Sequence, residues 1–114
     1  MSNGRVGGKA CIVTGAGSGI GAATAVRLAE EGGRIVCADQ NGDSAKQTAA
    51  SIVESGGQAI AFTVDVSDSA QCDALIAECV KEYGSVDVVV NSAGVNLPGV
   101  FHEVSNAIID KTLD

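Results

Sequence analysis

The 114-residue chain is poor in aromatic side chains, at 3%, and has no cluster of basic residues. With 14 acidic against 7 basic side chains its net charge is −7, which argues against nucleic acid or an anionic membrane surface as partner. No apolar run approaches the ~18 residues needed to cross a bilayer. The opening "MSNGRVGGK" lacks the apolar stretch of a secretory signal, so a cytoplasmic protein is expected. Cysteines Cys11, Cys37, Cys72 and Cys79 form no C-x-x-C pair and lack zinc-site spacing, so no metal is expected. They read as buried free thiols, since cysteine behaves as a small core hydrophobe. What is abundant is Ala, Val and Ile in short runs. The hydrophobic share of 46% is too high for disorder and enough for the core of one domain.

Two periodicities alternate along the chain. "KACIVT" (9–14), "RIVCAD" (34–39), "QAIAFTVDV" (58–66) and "VDVVVN" (86–91) are short apolar runs, the signature of strands covered on both faces. Helical patterns lie between them. Ala45, Ala49, Ile52 and Val53 share one face of the second helix; Cys72, Leu75, Ile76, Cys79, Val80 and Tyr83 make a stripe on the third. Ser67 or Asp68 can cap the third helix, with Gln71 three residues after Asp68, and Gly84 stops it. Gly32-Gly33 and Gly56-Gly57 stop the first two. The order β-α-β-α-β-α-β predicts right-handed crossovers and a parallel sheet, followed by a loop with Pro98 and a further helix near Ser105.

"VTGAGSGIGAA" (13–23) puts four glycines into seven positions behind the first strand. Such a turn delivers backbone N–H groups to the positive end of a helix, an anion site that suits a diphosphate. A P-loop would end in Gly-Lys-Ser/Thr, whereas this turn ends Gly19-Ile20-Gly21-Ala22. The frame G-x-G-x-x-G/A laid on Gly17, Gly19 and Ala22 starts too late after the strand. The frame Gly15-x-x-x-Gly19-x-Gly21, with Ser18 and Ile20 inside it, fits better. Asp39 stands 18 residues after Gly21 at the end of the second strand, where an acid can grip an adenosine ribose. A carboxylate there repels a 2′-phosphate, and neither Ser18 nor Gln40 offers a positive charge, so NAD rather than NADP is expected. Asp65 and the Val66 backbone could meet an adenine, although Asp65 also reads as a helix cap. At the fourth strand, Asn91 can bond backbone across the sheet while Ala93 and Gly94 let a ribose lie close.

In this order Thr14-Gly15-Ala16-Gly17-Ser18-Gly19-Ile20-Gly21, Asp39, Asp65-Val66 and Asn91-Ser92-Ala93-Gly94 resemble the short-chain dehydrogenase/reductase family, from Lys9 to the last residue. The family's Asn-Asn-Ala-Gly segment stands here as Asn-Ser-Ala-Gly. The resemblance implies a Rossmann-type doubly wound sheet with strand order 3-2-1-4-5-6-7, here ending after the fourth strand. It also implies hydride transfer between a nicotinamide and a small alcohol or ketone, and a homo-oligomer when complete. The family's catalytic groups are an Asn, a Ser and a Tyr-x-x-x-Lys pair. The single tyrosine, Tyr83, is followed four residues later by Asp87 and reads as packing. None of the four groups is found, so no catalytic residue is assigned and the chain alone should be inactive. His102, after Pro98, reads as a loop residue. A partial cofactor domain with a bare fourth strand is expected to associate or aggregate alone. Two other readings carry less weight: a non-catalytic nucleotide-binding module, and a methyltransferase, which the Asn91–Gly94 segment and the Gly15/Gly19/Gly21 frame oppose.

Overall fold

The computed structural model describes residues 6–92. Its elements run β1 (Ala10–Thr14), α1 (Gly19–Glu30), β2 (Arg34–Asp39), α2 (Gly42–Glu54), β3 (Gln58–Thr63), α3 (Ser69–Tyr83) and β4 (Val88–Asn91). All pairings are parallel, in the order β3-β2-β1-β4. The chain therefore winds outward from β1 through β2 to β3, then returns to the other side of β1. That reversal opens a crevice at the carboxyl ends of β1 and β4.

Strand alternation sorts the core into two layers. Cys11, Val13, Ile35 and Cys37 pack with Ala25, Ala45, Ala49 and Ile52 of α1 and α2. Ala10, Ile12, Val36 and Ala38 face Cys72, Leu75 and Cys79 of α3. All five residues of β1 are fully buried, which is why this strand carries no alternating polar positions. The helix stops fall where the glycine pairs predict. Gly32 and Gly33 donate to the Ala29 and Leu28 carbonyls, and Gly56 and Gly57 donate to those of Val53 and Ile52. Each pair satisfies carbonyls that the last helical turn leaves open.

Several boundaries and faces differ from the sequence expectation. β3 ends at Thr63 rather than Val66: the Val64 amide donates to the Asp39 carbonyl, and the chain then turns as the Asp68 amide donates to the Asp65 carbonyl. Val64 and Val66 are nevertheless buried. β4 starts at Val88 rather than Val86. Just before it, Asp87 clamps onto β1, its carboxylate accepting from the Ala10 amide at 2.8 Å and the Ser85 hydroxyl at 3.0 Å. Asp68, not Ser67, caps α3, accepting from the Ala70 and Gln71 amides. The Gln71 side chain accepts from the Asp65 amide at 2.8 Å instead of bonding the cap's own amide. Val53 and Val80, counted on the apolar stripes, are 54% and 46% exposed. Both lie at the flank of a stripe, where a helix rotation of a few tens of degrees decides between core and solvent.

All four cysteines are buried and free. Burial pushes the Cys11 and Cys37 thiols up to about 12, and burial with the nearby Asp87 charge brings Cys79 to about 11. Burial alone would raise Asp87, but bonds from Ala10 and Ser85 with Lys9 and Arg34 nearby leave it below the usual 3.8. Tyr83 packs against the α3 layer, as expected. Its hydroxyl donates to the Ile35 carbonyl at 3.1 Å, the Arg34 guanidinium lies 5.1 Å from its ring centre, and burial first of all pushes it up to about 12. No helix among the described residues is long and apolar enough to cross a membrane.

Two expectations follow. Leu75→Ala, at a fully buried site, should cost about 2–5 kcal/mol in urea unfolding, whereas Val80→Ala should stay within about 1 kcal/mol. Equal losses would contradict the described helix orientation. The thiols are harder to ionise folded than unfolded, so their contribution is intact below 9.0 and is lost as pH rises toward about 12. The Asp87 contribution has the opposite sign, holding above 3.8 and fading as pH falls below it. A urea midpoint that stayed flat across both windows would refute this assignment.

Candidate functional site

A cleft of about 480 Å³ opens at the carboxyl ends of the strands. Its lining comes from the turn after β1 (Gly15, Ser18), the end of β2 (Asp39, Gln40), the segment after β3 (Val64 to Ser67) and Ser92 after β4. Four successive strand ends thus converge on one space, the consequence of a parallel sheet whose order reverses beside β1.

The floor is the glycine turn. Gly19 has φ +59°, a conformation that disfavours a side chain, and a Cβ there would stand in open space with no heavy atom within 4 Å. Gly21 is buried, and a Cβ on it would overlap the Gly15 carbonyl, so this glycine seats α1 under the turn rather than lining the cleft. Ser18 flanks the first turn of α1 in extended conformation, and its side chain makes no capping bond. The Ser18 hydroxyl therefore does not bond the amides that open α1, which a helix start leaves without intrahelical partners. Ile20 is 81% exposed beside them.

Asp39 stands at the mouth of the turn and is oriented at both oxygens. Oδ2 accepts from the Gly17 amide at 2.8 Å, and Oδ1 from the Asn41 amide at 2.9 Å. Each carboxylate oxygen retains a second lone pair for another donor. Asp65 faces the same cleft, its Oδ1 accepting from the Ser67 hydroxyl at 2.6 Å and the Ser67 amide at 3.0 Å. Those two bonds, hydroxyl first, hold its carboxyl below the usual 3.8. Asp65 is therefore not the helix cap. The Val66 side chain is buried beneath the rim while its carbonyl accepts from the Cys72 thiol.

At the end of β4, Asn91 Oδ1 accepts from the Thr14 hydroxyl of the neighbouring strand at 2.9 Å. Of the other residues singled out in the sequence, Gly15, Ser18, Asp39, Gln40, Asp65 and Val66 come together in the cleft, with Gly19 and Ile20 next to it. Ala93, Gly94, Pro98 and His102 lie outside the described residues. Sequence reasoning missed Ser67 and Ser92 on the lining, Thr14 as the partner of Asn91, and Gly17 as the donor to Asp39. It also missed Thr48, whose buried hydroxyl reaches the Ala16 carbonyl at 2.7 Å. A polar residue on the otherwise apolar 45/48/49/52 face of α2 was the available signal for Thr48.

Sheet and cleft together define a doubly wound α/β protein with an open crevice across its strand ends. Residues 9–114 match the short chain dehydrogenase family, and the chain belongs to that family. Over 105 residues it is 42% identical to 2,5-dichloro-2,5-cyclohexadiene-1,4-diol dehydrogenase LinX of Sphingobium indicum, covering 92% of this chain and 42% of that protein. A putative D-mannonate oxidoreductase from Haemophilus influenza, solved with bound NAD, is similar at TM-score 0.77 and 30% identity over 85% of this chain and 35% of that one. A metagenomic short-chain oxidoreductase in complex with NADP is similar at TM-score 0.75 and 35% identity, over 80% of this chain and 41% of that one. The chain spans less than half the length of these relatives.

The turn geometry separates two glycines that look alike in sequence. Gly19→Ala should cost about 1–2 kcal/mol through backbone strain alone. Gly21→Ala should cost more and shift the turn, because the added Cβ meets backbone rather than a movable side chain. Equilibrium unfolding of the two variants checks this ranking, and a Gly21→Ala as stable as the parent would contradict the close seat of α1.

Proposed function

We propose that this chain holds the adenosine and diphosphate half of NAD(H) for an oxidoreductase acting on a small alcohol or ketone. The observation that carries the reading is Asp39: a carboxylate fixed at the mouth of the glycine turn, on a rim with no cation among its described lining residues. The turn passes the test of fit, since open space beside Gly19 and the uncapped start of α1 leave room and donors for a diphosphate.

In this reading Gly15, Ser18, Gly19 and Ile20 hold the diphosphate, with Gly21 keeping α1 close enough to present its amides. Asp39 accepts from the ribose hydroxyls beside Gln40. Asp65 and the Val66 backbone meet the adenine, and Asn91, Ala93 and Gly94 border the far ribose. The bound nicotinamide would supply the hydride acceptor or donor, and Tyr83, packed on α3 with its hydroxyl on Ile35, takes no part. The solved relatives include both an NAD and an NADP complex, so the choice of NAD rests on this chain's own rim. Two carboxylates there, Asp39 and Asp65, oppose the added negative charge of a 2′-phosphate.

Calorimetric titration should give weak NAD binding and NADP binding weaker still by at least about tenfold. Asp39→Asn, which can keep the Gly17 bond while losing the charge, should erase most of that gap. An NADP preference in the unaltered chain would overturn the assignment.

A further inference from the structure

The Ala16–Gly17 peptide is held from both ends. Its carbonyl accepts from the Thr48 hydroxyl at 2.7 Å, in a buried bond, and its N–H donates to Asp39 Oδ2 at 2.8 Å. Because C=O and N–H belong to one planar unit, they point in opposite directions and turn together. Thr48 therefore sets where the Gly17 N–H points, and that N–H fixes one oxygen of the Asp39 carboxylate. A carbonyl that accepts a hydrogen bond also polarises the N–H across the same amide, which strengthens the bond to the carboxylate.

The surroundings leave this peptide little other freedom. The Ala16 amide donates to the Ala38 carbonyl at 3.0 Å, tying the turn to β2 one residue before Asp39. A Cβ on Gly17 would lie 2.6 Å from Ser44 Cβ and 2.8 Å from Asp39 Oδ2, so α2 presses directly on the turn. Thr48 is 7% exposed, one turn further along α2, and its hydroxyl also lies 3.3 Å from the Ser44 carbonyl. An alanine would complete the apolar face of α2 equally well. The hydroxyl at this position is accounted for by the bond it sends 32 residues back to the turn.

We infer that Thr48 is a positioning residue for cofactor selection: through the Ala16–Gly17 peptide it holds the Asp39 carboxylate in the orientation that receives a ribose diol. The link between Thr48 and Asp39 stands on the geometry; its consequence for selectivity rests on the reading of Asp39 given above. Thr48 itself touches no ligand, so its loss acts on the carboxylate and on whatever the carboxylate distinguishes.

The test uses the full chain with Thr48→Val, Thr48→Ser, Asp39→Asn and the Thr48→Val/Asp39→Asn double variant. Thr48→Ala, which also removes the hydroxyl, substitutes if Thr48→Val does not fold. The first readout needs no cofactor: in Thr48→Val the Gly17 amide resonance should move upfield and its hydrogen exchange should quicken, with Thr48→Ser restoring both. The second readout is titration with NAD and NADP. Thr48→Val should weaken NAD about three- to tenfold and NADP by less than about twofold, and it should add nothing on top of Asp39→Asn. An unchanged Gly17 amide would overturn the link. Equal weakening of both dinucleotides without rescue by Thr48→Ser would reduce Thr48 to a packing residue and overturn its part in selection. A chain that fails to bind NAD while its Gly17 amide still responds to Thr48→Val would support the link and count against the cofactor reading instead.

Discussion

Burial of β1 on both faces is the constraint from which the rest of the molecule is hung. Its five residues are shut off from solvent by α1 and α2 on one side and α3 on the other. A strand with no solvent face cannot slip by one residue without exchanging its two core layers, so its register against both neighbours is strongly specified. Pairing Thr14 with Ala38 brings the glycine turn level with the end of β2, and pairing Thr14 with Asn91 brings the end of β4 to the same height. Pairing Asp39 with Thr63 adds the end of β3, so the cleft exists because four strand ends arrive together.

What the register brings together, hydrogen bonds then orient. Asp39 reaches the turn with a flexible side chain, yet the Gly17 and Asn41 amides hold its two oxygens. Asp65 is held in the same way by Ser67, and Asn91 by Thr14. Orienting a carboxylate in advance spares a ligand the cost of ordering it. Thr48 extends the same device by one step into the core. It fixes the peptide that fixes the carboxylate.

Most of the fold was legible in the residues because its local rules act over short distances. Alternating apolar runs and helical stripes report burial within one element, and glycine pairs report helix ends within a turn. The stripes failed at their margins, where Val53 and Val80 turned outward, because sequence spacing places a residue on a helix but not the helix on its sheet. The third strand was read too long for a related reason. Val64 and Val66 are apolar because they are buried in the core after β3 has ended, and hydrophobicity does not distinguish a strand from a buried turn.

The sequence by itself determined the alternation of strands and helices, the glycine turn at the head of α1, and an acid at the end of β2. These depend on backbone geometry and on neighbours a few residues apart. Only the tertiary structure decided that Gly17 would donate to Asp39, that Thr48 would reach the Ala16 carbonyl, and that Thr14 would bond Asn91. Those partners lie 22, 32 and 77 residues apart, and they meet only once strand register and the seating of each helix are set.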